Sequence, residues 1–185
     1  MTNKANQMIG LIKRSFDYLD KDVFLKLYKA LIRPHLEYGN IIWHPHLKRQ
    51  SAAIEKVQRR ATKLLKCCKQ MSYLERLQYL NLPSLKHRRE RGDLIETFKI
   101  FHGHVDISFN TLFIERVDDR TRNSDGKLYV PFSSNKLRKN FFTNRVINPW
   151  NALTTNIKFA QNTNSFINLF DADTKFKESF YCYDD

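Results

Sequence analysis

The stretch IEKVQRRATKLLKCC, residues 54–68, decides the predicted fold, because its apolar residues recur at the spacing of an amphipathic helix. At about 100° per residue they gather on one side of the helix, and the cations gather within an arc of about 120° on the other. Glu55 falls at the edge of that arc. We therefore predict a helix over about residues 47–68. Its apolar positions are Ile54, Val57, Ala61, Leu64, Leu65 and Cys68, and its cations are Lys56, Arg59, Arg60, Lys63 and Lys66.

The charge of the whole chain favours an anionic partner. Its 185 residues include 32 Lys and Arg against 19 Asp and Glu, a net charge of +13 with a pI near 9.8. A field of this sign attracts polyanions, nucleic acid first and an anionic membrane surface second. Cations confined to one helix face repel one another, a cost that a polyanion relieves. We predict that the cationic face binds phosphates without base specificity, and a solvated lysine-rich face is the alternative.

The cysteines and the N-terminal sequence bear on the compartment. Cys67 and Cys68 are neighbours and Cys182 lies near the C-terminus, so we predict reduced thiols rather than a disulfide framework. The first residues lack the apolar core of a signal peptide, and no run reaches the ~18 apolar residues of a membrane helix. The expectation is an intracellular protein of the nucleus or cytoplasm, neither secreted nor bound to a membrane. The pattern does not indicate an oligomeric state.

Caps and helix breakers divide the rest of the chain. Asp20 is predicted to cap a helix that Pro34 interrupts. Ser72 and Glu75 form a capping-box signature, and Ser84 opens a further helix. The predicted helices cover about residues 5–19, 21–33, 72–80, 84–101, 141–153 and 165–176, and a short strand covers 127–132.

These elements predict a mainly α fold with two parts. An N-terminal helical bundle covers residues 1–103, and a smaller mixed, mostly helical unit covers residues 126–178. Residues 104–125 have weak periodicity and many polar residues, which is typical of a linker or loop. Residues 179–185 are expected to form a frayed tail.

Two further basic clusters are candidate contacts. In residues 86–91, Arg89 is the predicted phosphate ligand. Arg88 and Arg91 fall near the apolar side of their helix, where ion pairs with Glu37, Asp93 or another carboxylate are expected. The third cluster, Lys136, Arg138 and Lys139, is predicted to contact phosphates; Phe141 and Phe142 beside it are expected in the core, with stacking on bases as the alternative.

Histidines and tryptophans have other predicted roles. Trp43 and Trp150 are expected to anchor their segments in the core. An alternative function is that of a metal-dependent nuclease, in which pairs of histidines would be metal ligands. The spacing of these histidines is not that of a zinc finger. The candidate residues of the nuclease are His44, His46, His102 and His104 with Asp118 and Asp119.

Four stretches together resemble one family in one order. They are similar to the region that follows the catalytic palm in reverse transcriptases of non-LTR (LINE-type) retrotransposons, of the jockey kind. The resemblance covers about residues 4–170, and Gly39 departs from it, since the family often has Cys there. The stretches are KANQMIGLIKR (4–14), LYKALIRPHLEYGNIIWHPHLKRQSAAIEKVQRRATKLL (27–65), LERLQYLNLPSLKHRRERGDLIETFKIFHG (74–103) and RKNFFTNRVINPWNAL (138–153).

The resemblance implies a thumb, a helical bundle that grips a template–primer duplex along its backbone, followed by a post-thumb unit. The family holds its two Mg²⁺ ions on palm carboxylates upstream of this region, one pair of them in an aromatic-Ala-Asp-Asp hairpin. The terminal Asp184 and Asp185 lie on the wrong side of the thumb to replace that pair. We therefore expect no enzyme activity and no cofactor in this chain itself.

The expected function is that of a fragment of an RNA-directed DNA polymerase, without palm or endonuclease, that binds RNA, DNA or their hybrid. The alternatives are a helical protein–protein interaction module and an inert transposon remnant.

Overall fold

A computed structural model describes residues 2–116, 126–173 and 179–183, and these residues are mainly helical, as predicted. The chain forms two compact units, Met1–Arg89 with Glu178–Asp185, and Glu90–Lys177. The division falls inside one helix, because Leu85 near its start packs in the first core and Leu94 in the second. The structure therefore divides the chain earlier than the predicted boundary after Gly103. No described helix has the length and apolar character needed to cross a bilayer.

The first unit is built from helices whose predicted caps are present. Asp20 accepts a hydrogen bond from the Asp22 amide at 3.1 Å. Ser72 and Glu75 form the capping box, at 3.3 Å and 2.6 Å. Ser84 accepts from the His87 amide at 3.1 Å. The elements are α1 (Thr2–Ser15), α2 (Lys21–Leu27), a π-helical segment (Tyr28–Ile32), α3 (Arg33–Glu37), α4 (Asn40–Trp43), α5 (Lys48–Thr62), a 3₁₀ turn (Lys66–Cys68), α6 (Tyr73–Leu80) and the start of α7 (Leu85–Phe101).

The prediction that Pro34 interrupts the helix is wrong. The chain stays helical from α2 through the π-helical segment into α3, where Pro34 lies in the first turn. Proline lacks an amide hydrogen and its ring crowds the preceding turn, and the wider π turn just before it accommodates both. The break comes at Gly39, whose φ of +69° is unfavourable for other residues, and a Cβ there would lie 3.3 Å from Trp43. Gly39 is thus required by the local backbone.

Residues 179–183 are not frayed. The Ser84 amide donates to the Phe180 carbonyl at 2.9 Å, and the rings of Tyr183 and Tyr73 lie 4.9 Å apart. Tyr181 and Tyr183 pack on the first core. Burial of these aromatic side chains ties the segment to the bundle. Asp184 and Asp185 lie outside the described residues.

The second unit lacks the predicted strand at 127–132 in its described residues. The Leu128 amide donates to the Asn151 side chain at 2.8 Å and its carbonyl accepts from the same amide group at 2.8 Å. An isolated bridge to Glu115 is the only β pairing described. At this bridge the Arg116 amide donates to the Lys127 carbonyl and the Tyr129 amide donates to the Ile114 carbonyl, each at 2.8 Å, so the described backbone pairing is limited to one bridge. The helices are the rest of α7, α8 (Phe109–Leu112), α9 (Lys136–Lys139), α10 (Phe142–Arg145), α11 (Ile147–Asn151), α12 (Thr155–Lys158) and α13 (Thr163–Ala172).

Trp150 is the anchor of the second core, as predicted. Its side chain is 0% exposed, and its indole N–H donates to the Gly126 carbonyl at 2.8 Å. Trp43 is half-buried against the first core, and its indole donates to the Tyr38 carbonyl. Each indole thus pairs its one donor with a backbone acceptor, which is what burial of this group requires.

We expect Trp150→Ala to destabilise the second unit by about 4 kcal/mol, because it leaves a large cavity and removes the hydrogen bond to Gly126. Urea denaturation followed by circular dichroism measures the loss. The matched control is Phe132→Ala, since that ring is 91% exposed and its removal should change the free energy of unfolding by less than about 0.5 kcal/mol. Equal effects of the two substitutions would contradict Trp150 as the anchor.

Candidate nucleic-acid interface

The basic stretch lies partly on α5 and partly on the turn that follows. Helix α5 ends at Thr62, earlier than predicted. Its last bonds are tight i→i−3 bonds, from Lys63 to Arg60 and from Leu64 to Ala61. Lys66 therefore lies in the 3₁₀ turn and not on the helix. The apolar side is buried as predicted apart from Leu64, which is half-buried.

Four of the five predicted cations are exposed: Lys56, Arg60, Lys63 and Lys66. Among the described residues, no carboxylate oxygen lies within 4.0 Å of the ammonium group of Lys56, Lys63 or Lys66. The Arg60 guanidinium donates to the side-chain oxygen of Asn6 at 2.7 Å. An amide acceptor is neutral, so the bond positions Arg60 without compensating its charge. The surface keeps a charge of one sign.

Arg59 differs from the other cations. It is half-buried, with the guanidinium carbon 4.9 Å from the centre of the Tyr73 ring and 4.6 Å from that of Tyr183. Cation–π contacts of this kind are worth about 0.5–2 kcal/mol. Arg59 thus joins α5 to α6 and to the C-terminal segment, and it is a weaker candidate for phosphate contact than its exposed neighbours.

Glu55 lies inside the first unit, at 1% exposure, and not at the edge of the cationic face. Its carboxylate accepts from the Tyr73 hydroxyl and from the Leu85 amide, the latter at 3.0 Å. Burial raises the pKa of Glu55 above its ordinary value of 4.5, and the Tyr73 hydrogen bond and the charge of Arg89 oppose this rise. Burial, with the nearby Glu55 charge, also raises the pKa of Tyr73, so the hydroxyl stays protonated and donates.

Arg89 is not a surface phosphate ligand, and that prediction is wrong. Its side chain is 1% exposed and donates to the Ser51 hydroxyl at 2.7 Å. Its charge favours the ionised form of Glu55. A cation is buried only when other groups compensate its desolvation, and here a buried carboxylate attracts it inward. The helical wheel of α7 could not reveal this, because Glu55 comes from another helix.

The predicted ion pairs of the neighbouring arginines are present. Arg88 binds Glu37 through two nitrogens, one of them at 3.0 Å from the carboxylate oxygen. Arg91 binds Asp171 in the same bidentate manner, at 2.7 Å and 2.8 Å. Paired guanidinium and carboxylate planes give well-oriented bonds. These arginines stabilise their units and are engaged away from a ligand.

The groove between α1 and the end of α5, here called the α1–α5 groove, is a feature that the sequence did not indicate. It has a volume of about 590 Å³. Ile9, Ile12 and Phe16 of α1 and its following turn contribute apolar walls. The only carboxylate among its lining residues is that of Asp17. Its cations are Lys13, Arg60, Lys63, Lys66 and Lys69.

Lys13 and Lys69 are therefore candidates that sequence reasoning missed. Lys13 lies in the last turn of α1, and Lys69 follows the 3₁₀ turn. Both side chains are exposed. The basic last turn of α1 was a visible signal, but only the packing of α1 on α5 brings it to the same groove as Arg60.

The third basic cluster is exposed, in the second unit. Lys136, Arg138 and Lys139 lie on α9 with their side chains in solvent. Phe142 is half-buried and packs on the second core. Phe141 is 62% exposed, so its expected place in the core is wrong. The turn after α9 directs one ring inward and the other outward, and the exposed ring remains available for stacking.

His102 and His104 have structural contacts, and the His104 ring nitrogen lies 3.3 Å from the Thr163 hydroxyl. The His102 ring nitrogen is 2.8 Å from the Lys158 carbonyl, and its ring lies 4.3 Å from that of Phe98. Within the described ranges, no group of three or more His, Cys, Asp or Glu residues is placed to hold a metal ion. Asp118 and Asp119, the carboxylates of the nuclease alternative, lie outside those ranges.

Among the described residues, Cys67, Cys68 and Cys182 form no disulfide, and the sulfur atoms of Cys67 and Cys68 lie 3.8 Å apart. Burial, reinforced by Cys67, raises the pKa of Cys68 to about 11, so Cys68 remains a neutral thiol near neutral pH.

Comparison with known proteins gives no relative: no family model, no curated protein and no solved structure matches this chain.

Replacing Glu55 by glutamine should change how stability depends on pH. Because burial raises the folded-state pKa, the folded protein binds this proton more tightly than the unfolded chain does. The wild-type contribution is thus present below about pH 4.5 and lost as the pH rises through the folded-state pKa. We expect the free energy of unfolding of Glu55→Gln to increase relative to wild type over that window. Urea titrations at a series of pH values measure the difference.

The matched control is Glu55→Ala, which removes the acceptor itself. The Leu85 amide and the Tyr73 hydroxyl then lose their partner, and we expect a loss of about 3 kcal/mol. A difference between Glu55→Gln and wild type that stays constant with pH, or that shifts in favour of wild type, would contradict the raised pKa.

Proposed function

We propose that this chain binds nucleic acid through phosphates, with the end of α5 and the following turn as the main contact. The observation that supports this most is the exposed cationic surface at Arg60, Lys63 and Lys66, whose lysines have no carboxylate partner among the described residues. Cations without a nearby negative charge repel one another and so raise the free energy of the unbound protein. Their binding to a polyanion is favourable because it releases the counterions of the polyanion. The net charge of +13 adds long-range attraction.

The resemblance to non-LTR reverse transcriptases gives this binding a context. We propose that the first unit acts as a thumb-like grip on an RNA, a DNA or an RNA/DNA hybrid. Contacts of this type read the backbone and carry little base specificity. Polymerisation itself needs palm carboxylates that hold Mg²⁺, and on this proposal the chain alone performs no synthesis.

Protein binding is the second candidate function. Exposed apolar side chains around α9 favour it, since Phe132, Leu137 and Phe141 are 91%, 62% and 62% exposed. Exposed aromatic and apolar residues are common anchors at protein interfaces. Binding of this kind depends weakly on salt, which separates it from phosphate binding.

The test of phosphate binding is the variant Lys63→Glu with Lys66→Glu, titrated against a fluorescent RNA/DNA hybrid at several salt concentrations. Each lost phosphate contact reduces the magnitude of the slope of log K against log salt by about 0.7–0.9. We expect weaker binding and a slope whose magnitude is smaller by about 1.4–1.8.

The matched control is Lys26→Glu with Lys29→Glu. These lysines are also exposed and spaced three apart, on α2 and the π-helical segment, so the change in net charge is the same. We expect a slope close to that of wild type. Equal slopes for both pairs would show that only the overall charge attracts the hybrid and would overturn the proposed surface.

A further inference from the structure

We propose that the α1–α5 groove binds a single-stranded segment of nucleic acid, with a base against its apolar walls and phosphates against its cations. This inference rests on the proposed nucleic-acid binding and adds a strand preference and a second set of contacts to it. The two features that support it, the apolar lining and the excess of positive charge, lie within the first unit.

The charge of the groove favours an anion even after the opposing charges are considered. Asp17 lines the groove, and α1 and α5 both end beside it, at Ser15 and Thr62. A helix C-terminus carries about half a negative charge. These contributions together are about two negative charges. They are outweighed by the groove's cations, which are Lys13, Arg60, Lys63, Lys66 and Lys69.

The apolar lining distinguishes the groove from a simple cationic ridge. Ile9 and Ile12 are buried, whereas Phe16 is 41% exposed and Leu64 is half-buried. Phosphate alone gains nothing from such a surface. A nucleobase does, because its faces are apolar and stack on aromatic rings. The combination of lining and charge fits a ligand that carries both an apolar plane and an anion, which describes one nucleotide.

Strand preference follows from which ligand can present a base. In a duplex the base faces are stacked on one another, and only phosphates and groove edges reach the protein. A single strand can turn a base outward. The groove volume of about 590 Å³ lies within the range of pockets that bury small organic ligands, which suits one or two nucleotides and excludes a duplex.

Gly10 provides a substitution that fills the groove without changing its charge. It lines the groove on α1, and a Cβ built on it meets nothing within 4 Å. A leucine there should take up part of the space, and replacing a glycine inside a helix tends to stabilise the helix. We therefore expect the Gly10→Leu variant to fold. The matched control is Gly92→Leu, on α7, where a Cβ also meets nothing within 4 Å and which does not line the groove.

The experiment measures binding of the full chain to fluorescent oligothymidylate and to a blunt DNA duplex of the same length, across a series of salt concentrations. We expect wild type to bind the single strand more tightly than the duplex. Gly10→Leu should weaken single-strand binding by about tenfold, the loss of roughly one stacked base. It should leave the salt slope and duplex binding unchanged, and Gly92→Leu should resemble wild type throughout.

A second variant removes the aromatic side chain instead of filling the space. Phe16→Ala should also weaken single-strand binding at unchanged salt slope, whereas Tyr18→Ala, a ring that is 72% exposed and outside the groove lining, should not.

Two outcomes would overturn the proposal for the α1–α5 groove without affecting the proposed phosphate binding. In the first, Gly10→Leu and Phe16→Ala bind the single strand as tightly as wild type. In the second, Gly10→Leu weakens single-strand and duplex binding equally. The proposed phosphate binding survives in both, because wild type still binds with a steep salt slope.

If wild type binds neither probe, both proposals fail. Binding to vesicles that contain phosphatidylserine, sensitive to Gly10→Leu and without any binding to oligonucleotide, would assign the groove to an anionic lipid and would likewise overturn both.

Discussion

The buried carboxylate of Glu55 is the interaction on which the first unit most depends. It lies on α5 and accepts hydrogen bonds from Tyr73 of α6 and from the first amide of α7 at Leu85. Three helices that are separate in sequence thus meet at one acceptor. Burial of the charge is costly, as the raised pKa of Glu55 indicates, and the cost is offset by these donors and by the charge of Arg89. The network therefore fixes which helices are neighbours.

The character of the surface follows from that burial. Glu55 is the only acidic residue in residues 54–68, and because it is inside, the exposed face of this stretch has a single sign. The same burial draws Arg89 inward, and Arg59 packs between two tyrosine rings. The cations that remain outward are those of the end of α5 and its turn. The surface proposed to bind phosphates is thus a consequence of how the interior is neutralised.

The predictions of helix caps, whose partners are local, were confirmed, whereas several contacts with distant partners were not predicted. Capping by Asp20, Ser72 and Ser84 was predictable because donor and acceptor lie within three residues of each other. The strand predicted at 127–132 is reduced to one bridge with Glu115, and the Leu128 backbone also bonds to the side chain of Asn151, a partner that no pattern in the segment could indicate. The division of the chain inside α7 was missed for a related reason. A continuous helix gives no sign that its two ends pack in different cores.

The sequence by itself determined that the chain is mainly helical, that the apolar residues of 54–68 other than Leu64 are buried, how several helices begin, and that its charge is strongly positive. Periodicity, capping chemistry and composition act within a few residues, so they can be read directly. The tertiary structure alone decided which charged residues stay outside. It buried Arg89 and brought Lys13 beside Arg60 in one groove. The reason is physical: the free energy of a charge depends on the groups packed around it, and those groups come from distant parts of the chain.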